Sequence, residues 1–432
     1  MRSANLGTDP PVATANEEYE EYPEIEPLGK DELLRAAIKL ANEIEAKAFR
    51  QSNGDLGWMV LNYAPAAERY TLQPMENDLY NGRAGVGLFF AALEKISPGS
   101  SYRALAHASL KPIQRWIKLA TDEELTEFGF GGYAGLSSIV YALTRAGEFL
   151  GEDELIADAR SAALRIRSDQ IEKDDSLDAM NGAAGAIPGL LACYAATGEP
   201  EVLARAVACG RHLLQRRALD KFGFRTWPTL DGCHLTGFSH GAAGIAYALL
   251  QLYKITADAE FYAAAVDGIC FEGCAFVSEQ NNWPDYRRAA TRLSQGPMFC
   301  MAWCHGAPGI GLGRIAALDM MDTCDVRRDI EAALASTSSA NLLPRDHLCC
   351  GNAGLMDTLC AAGERFPQAE WSGKALQLAA RTMARGNKRG GFNIAFHNGF
   401  FNPSLFQGTA GVGYQMLRLA DPTRIPSVLL LN

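Results

Sequence analysis

No stretch of this 432-residue chain approaches the ~20 consecutive apolar residues that a membrane-crossing helix requires, so no transmembrane segment is expected. Nor is there a basic excess. Lys and Arg number 40 against 50 Asp and Glu, a formal net charge of -10, which excludes a nucleic-acid partner because phosphate binding needs a positive surface. Behind Met1-Arg2 there is no apolar segment of the signal-peptide kind. The 11 cysteines lack the even spacing of a disulfide framework. They read as reduced thiols of a cytoplasmic protein, a few of them recruited for a metal. Residues 1–28 are poor in core-forming side chains and include Glu17-Glu18-Tyr19-Glu20-Glu21-Tyr22, so they are expected to be a disordered tail or linker. Strand-like stretches are few, and only Phe392 to Phe401 reads as a short strand or irregular loop.

What the chain has is glycine and apolar helix. A first helix is expected from near Asp31, with Leu33, Leu34, Ala37, Ile38, Ala41 and Ile44 on its apolar face. From there a Gly-x-x-Gly turn recurs seven times: Gly82 to Gly85, Gly132 to Gly135, Gly182 to Gly185, Gly241 to Gly244, Gly306 to Gly309, Gly351 to Gly354 and Gly408 to Gly411. The intervals are roughly 45 to 65 residues, room for two helices each. The helix after each turn is apolar nearly all round, as in Ile187 to Tyr194, and such a helix is buried on every side. Amphipathic helices lie between, including Glu152 to Arg167, Glu201 to Gln215 and Trp371 to Arg385. Seven buried helices alternating with half-exposed ones, without the polar capping repeats of an open solenoid, predict a closed all-α ring. That architecture is an α/α toroid of seven inner and seven outer helices, formed by one domain over residues 29–432. The glycines themselves are structural, permitting positive φ and close helix approach.

Chemistry gathers on the residues just before the turns. Repeats one, two and seven carry Asn81, Gly131 and Gln407, which have no distinctive chemistry. Repeats three to six carry Asp178, His240, Cys304 with His305, and Cys349 with Cys350. Cys304, Cys349 and Cys350 suit a tetrahedral zinc with one corner open, the catalytic pattern. Buried free thiols, or a closed site with His305 or His347 as fourth ligand, are the alternatives. Three thiolates leave a net charge of about -1, a poor Lewis acid but a good holder of a fourth, nucleophilic sulfur. His240 suits proton transfer near neutrality, and Asp178 would orient it or cap its turn. His305 shares the slot of His240 and is expected to point toward a neighbouring loop. His234, His347 and His397 read as structural. Cys193, Cys209, Cys270, Cys274, Cys300, Cys324 and Cys360 read as buried packing.

Ser239-His240-Gly241, Trp303-Cys304-His305-Gly306 and Cys349-Cys350-Gly351, set within seven glycine turns, resemble the lanthionine synthetase C-like (LanC) cyclases from about residue 30 onward. The resemblance implies a zinc enzyme that adds peptide cysteine thiolates to dehydroalanine or dehydrobutyrine, closing (methyl)lanthionine thioether rings. It assigns zinc to Cys304, Cys349 and Cys350, and acid-base roles to His240 and Asp178. The commoner family motif at the sixth turn is Cys-His-Gly. The Cys-Cys-Gly here resembles a subgroup of the class II synthetases (LanM), whose C-terminal half is the cyclase. Gly57-Trp58, Tyr70-Thr71-Leu72-Gln73-Pro74 and Asp78-Leu79-Tyr80-Asn81-Gly82 resemble the opening of that half. The implied partner is a dehydrated precursor peptide, with a dehydratase in cis or in trans, and the chain would be an excised domain or a stand-alone relative. A further basic residue assists the reaction in relatives. Arg287, Arg288 and Arg292 are neighbours in sequence and nothing more. Competing readings are addition of glutathione or another small thiol to dehydrated residues, and a non-catalytic scaffold stabilised by zinc. A toroidal prenyltransferase lacks this doublet and repeat signature.

Overall fold

The computed structural model describes residues 25–64, 69–99, 101–287, 297–394 and 400–432. The expectations for most of the 1–28 tail and for Arg288, Arg292 and His397 lie outside the described residues. Each glycine turn feeds one inner helix. These are α2 (Arg83–Ile96), α5 (Leu136–Leu150), α8 (Ala183–Thr197), α10 (Ala242–Thr256), α12 (Ala307–Ala317), α14 (Asn352–Arg365) and α16 (Thr409–Ala420). Each packs on the next, and α16 packs on α2, so the ring closes. The outer layer is α1 (Lys30–Ala46), α3 (Tyr102–Leu119), α6 (Asp153–Leu164), α9 (Pro200–Gln215), α11 (Ala259–Ala275), α13 (Cys324–Ser339) and α15 (Trp371–Arg389). Six of them back the inner helix that precedes them in sequence. The N-terminal α1 instead backs α16, the last inner helix. Short helices α4 (Asp122–Phe128) and α7 (Ser168–Glu172) lie in the connections. The fold is the expected α/α toroid.

Burial follows the sequence pattern. In α2, residues 84 to 94 are all buried, because an inner helix meets neighbours on both flanks and an outer helix behind. In α1 the buried positions are Leu33, Ala36, Ala37, Leu40, Ala41 and Ile44, a single stripe at three- and four-residue spacing. Trp303, fully buried, fills the middle of the ring against Tyr133, Phe238 and Phe406 at centroid distances of 5.0, 5.5 and 5.4 Å. Behind them, Tyr133 Oη donates to the carbonyl of Leu429 at 2.7 Å, tying in the buried segment 428–431.

Two sequence expectations need correction. In the second repeat the glycine that caps the helix is Gly135, not Gly132. Gly131 and Ser138 are joined by the same long backbone bond that joins Asp178 to Gly185, which fixes the alignment. Gly132 is glycine for its neighbour's sake, since a Cβ there would sit 2.1 Å from the Gly185 carbonyl oxygen. The residue preceding the capping glycine in that repeat is therefore Ala134. Among the cysteines, Cys193, Cys209 and Cys360 are buried as expected, but Cys300 is half-buried and Cys270, Cys274 and Cys324 are exposed. Cys270 and Cys274 lie four apart on the solvent face of α11, away from the stripe of Phe261, Ala264, Ala265 and Gly268.

Strands are minor. A hairpin pairs β3 (Met59–Ala64) with β4 (Arg69–Pro74), and β1 (Phe49–Arg50), β2 (Leu56–Gly57), β5 (Ala218–Leu219), β6 (Arg225–Thr226), β7 (Pro284–Asp285) and β8 (Met298–Phe299) form two-residue pairs. Of the stretch 392–401, the described residues carry no strand.

Gly185 is wedged where a Cβ would come 1.7 Å from the Ala179 carbonyl oxygen, whereas Gly373 in α15 has nothing within 4 Å. Gly185→Ala should therefore lose about 3 kcal/mol of unfolding free energy. Gly373→Ala should gain roughly 0.5–1 kcal/mol. Denaturant melts of the two variants check the pair.

Candidate metal centre and acid-base pair

Neighbouring turns, from the first to the fifth and from the sixth through the seventh to the first, are joined by the backbone of the residue two before each capping glycine. Tyr80 N donates to Tyr133 O, Tyr133 N to Met180 O, Met180 N to Ser239 O and Ser239 N to Cys304 O, at 3.0 to 3.3 Å. Cys349 N donates to Phe406 O, and across the ring closure Phe406 N donates to Tyr80 O, both at 3.0 Å. Chains bonded in this way run roughly 4.8 Å apart, as neighbouring strands do. Side chains in the same slot of adjacent turns therefore fall within reach of one another.

The thiols meet between the fifth and sixth turns. Cys304 and Cys349 hold the same slot in the fifth and sixth turns, and Cys350 follows directly. Their ligand atoms all lie within 4.8 Å of one another. Cys350 Sγ is 3.3 Å from Cys304 Sγ and 3.2 Å from Cys349 Sγ. Cys304 and Cys349 are buried and Cys350 is half-buried, so the cluster opens to the surface on one side. Three soft donors converging at a half-open site fit a thiophilic metal such as zinc. Among the described residues, it is the one cluster of His, Cys, Asp and Glu that brings three ligand atoms this close.

The next slot carries Asn181, His240, His305, Cys350 and Gln407 in the third to seventh turns. His240 and His305 stack at a centroid distance of 5.9 Å. His240 is buried, and its Nδ1 donates to Asp178 Oδ2 at 2.6 Å. The other Asp178 oxygen accepts from Asn181 N at 2.8 Å, so this carboxylate both caps its own turn and orients the imidazole of the next. Thr229 Oγ1 donates to the His240 carbonyl at 2.6 Å and fixes the backbone from behind. With Nδ1 donating to a carboxylate, Nε2 is left as the basic nitrogen.

The other candidates are placed as follows. His305 is buried, with Nδ1 4.0 Å from Asp285 Oδ1 in the adjoining 284–287 segment, as expected for a histidine facing a neighbouring loop. Burial opposes the Asp285 charge, but His305 and the Arg287 guanidinium outweigh it and hold the carboxyl below its ordinary range. Arg287 is committed to that carboxylate, its Nη2 2.7 Å from Oδ2. Cys300 Sγ donates to the same oxygen at 3.5 Å. His347 is fully buried, and its Nδ1 accepts from Cys350 N at 3.3 Å, a structural contact beneath the doublet. Burial and, less strongly, the Arg345 charge push its pKa down to about 3. His234 Nδ1 lies 2.6 Å from Thr226 Oγ1.

Sequence reasoning missed Glu272 and Arg314. Both are buried, and Glu272 accepts hydrogen bonds from the turn that carries His240. A lone acid near the end of a helix gives no sequence signal that it faces inward.

A closed double ring of helices that carries a thiol cluster and a carboxylate-bonded histidine on its turns defines the class as an α/α toroid with a candidate metal centre. Residues 73–430 match the family described as lanthionine synthetase C-like protein, and the chain belongs to that family. The structure is similar to that of nisin cyclase, with a TM-score of 0.66 at 14% identity, covering 93% of this chain and 97% of that one. In sequence, the lacticin 481/lactococcin biosynthesis protein LcnDR2 of Lactococcus lactis subsp. lactis is 21% identical over 292 residues. The match takes in 66% of this chain but 28% of that much longer protein. No helix among the described residues is long and apolar enough to cross a membrane.

Asp178→Asn should leave the turn intact, because the amide oxygen can still accept from Asn181 N, and should change stability by no more than about 1 kcal/mol. The amide nitrogen would then face His240 Nδ1 and force the proton to Nε2. Nitrogen-15 spectra of histidine-labelled protein should show the tautomer switch.

Proposed function

We propose that the chain is a zinc-dependent lanthipeptide cyclase, and that residues 29–432 form its cyclase domain. The observation that carries this reading is the meeting of Cys304, Cys349 and Cys350 on the rim that also holds the His240–Asp178 pair. Zinc held by the three sulfurs would supply one thing: a lowered pKa for a substrate thiol, so that a peptide cysteine arrives as thiolate. His240 Nε2 is the group placed to move the proton. Addition forms one carbon–sulfur bond at the β-carbon of a dehydroalanine or dehydrobutyrine, and the α-carbon must gain the proton that the thiol lost. An imidazole with one nitrogen held by a carboxylate and the other free to take and return a proton suits both halves of that transfer. Asp178 holds the ring in the required tautomer and steadies its charge while the proton is resident. The buried flanks of the cluster keep bulk water away from the sulfurs, and the half-exposed Cys350 side is the way in.

The substrate in this reading is a dehydrated precursor peptide, with a dehydratase acting in cis or in trans.

The test uses a dehydrated peptide with free cysteines and counts thiols that remain open to alkylation, since ring closure leaves the peptide mass unchanged. Wild-type protein should consume the thiols and Cys304→Ala should not. Thiols that stay free across several peptides while zinc is bound would point to small-thiol addition or a scaffold. His240→Ala should slow closure by roughly 10²–10⁴-fold with zinc retained. Cys350→His should also keep zinc but slow closure, because replacing a thiolate by a neutral imidazole makes the site less electron-rich. An unchanged rate there would contradict the charge argument.

A further inference from the structure

The histidine turn is held from outside the ring by one carboxylate that the proposed chemistry leaves unused. Glu272, fully buried near the end of α11, accepts from Gly237 N at 2.9 Å and Ala243 N at 3.1 Å through the same oxygen, Oε1. Those two amides bracket Phe238-Ser239-His240-Gly241-Ala242. The other oxygen accepts from Arg314 Nη2 at 2.7 Å, and Arg314 Nε donates to Asp329 Oδ2 at 3.2 Å. Arg314 belongs to α12, the inner helix fed by the Cys304 turn, and Asp329 to its outer partner α13. One buried triad thus spans the histidine repeat and the first thiol repeat.

The segment that follows Glu272 braces the same two turns. The Glu272 carbonyl accepts from Trp283 Nε1 at 2.9 Å. Thr236 Oγ1 donates to the Pro284 carbonyl at 2.6 Å on the histidine side. On the thiol side, Asn282 Oδ1 accepts from Ala307 N at 2.8 Å. Between the turns the clearance is small: Gly237, at φ +101°, would bring a Cβ within 2.8 Å of the Cys304 carbonyl oxygen. A buried ion pair is a poor device for stability alone, since apolar residues of equal volume often do as well. A carboxylate does have acceptor capacity for two turn amides and a guanidinium at once, which an apolar side chain lacks.

We propose that Glu272, anchored by Arg314 and Asp329, is a positioning residue that sets His240 relative to the thiol cluster. The proposal rests on the cyclase reading for its kinetic consequence, but not for its structural one. In Glu272→Gln the amide oxygen can keep the Gly237 and Ala243 bonds, while the amide nitrogen cannot accept from Arg314. The anchor to the thiol repeat is lost and the turn is free to shift.

The experiment compares the wild-type chain, Glu272→Gln and Asp329→Asn. Zinc content, KM and kcat on a dehydrated peptide, and the nitrogen-15 signal of the His240 Nδ1–H bonded to Asp178 are read for each. Misplacement of a catalytic group by about 1 Å can cost up to roughly 100-fold. Glu272→Gln should therefore lose about 10- to 100-fold in kcat, with KM within about twofold and zinc still at one per chain. Its His240 Nδ1–H signal should shift or broaden. Asp329→Asn, which loosens the anchor without touching the turn, should show the same changes at smaller amplitude and serves if Glu272→Gln fails to fold. An unshifted His240 signal in both variants overturns the proposal, and so does a kcat loss that only tracks the unfolded fraction. If wild-type protein closes no rings, the cyclase reading fails, and the nitrogen-15 arm still decides whether Glu272 positions His240.

Discussion

The mouth of this toroid is built on backbone hydrogen bonds, two residues before the capping glycines, that join the first turn through to the fifth and the sixth through the seventh to the first. They bring seven loops that are distant in sequence to a common spacing. Glycine makes that spacing attainable, since at Gly132 and Gly185 the carbonyl of a neighbouring turn or of the preceding loop occupies the space a side chain would need. Between the fifth and sixth turns the sulfurs of Cys304, Cys349 and Cys350 meet. A metal bound there would cross-link two repeats.

The proposed chemistry is divided among repeats in a way no single turn could manage. Asp178 comes from the third, His240 from the fourth, Cys304 from the fifth and the Cys349-Cys350 doublet from the sixth. Asp78 holds the place in the first turn that Asp178 holds in the third, and it too accepts from the amide three residues on, at 2.7 Å. In the second turn, however, the slot corresponding to His240 is filled by Ala134. The same cap carboxylate becomes bonded to an imidazole where the next repeat supplies one, at Asp178 and His240. Function here is a matter of which residues decorate equivalent slots.

That division explains what the sequence disclosed and what it did not. Inner helices were legible because a helix packed on all sides, such as Ala183–Thr197, has no polar face, and the turns were legible because close approach demands glycine. The candidate site residues were legible from their nearness to those turns. The register of the second repeat was not, because Gly132 serves contact with Gly185 and Gly135 serves the cap, and both look alike in sequence. The partner of the last inner helix was also hidden, since ring closure sends α1 to α16 across nearly the whole chain. Exposure of Cys270 and Cys274 depended on which face of α11 turns inward, and that is set by the neighbouring helices. Glu272 and Arg314 looked like ordinary helical charges, and their burial is decided only when four elements come together around them.

The central claim is that three thiolates, and no histidine, hold one zinc with a fourth position open to a substrate sulfur. X-ray absorption at the zinc edge of the purified protein measures this directly. The account predicts three sulfur neighbours at about 2.3 Å with a single lighter ligand, and a fourth sulfur once a thiol-bearing peptide is added. A closed site with one or two imidazole nitrogens, unchanged by added peptide, would contradict it.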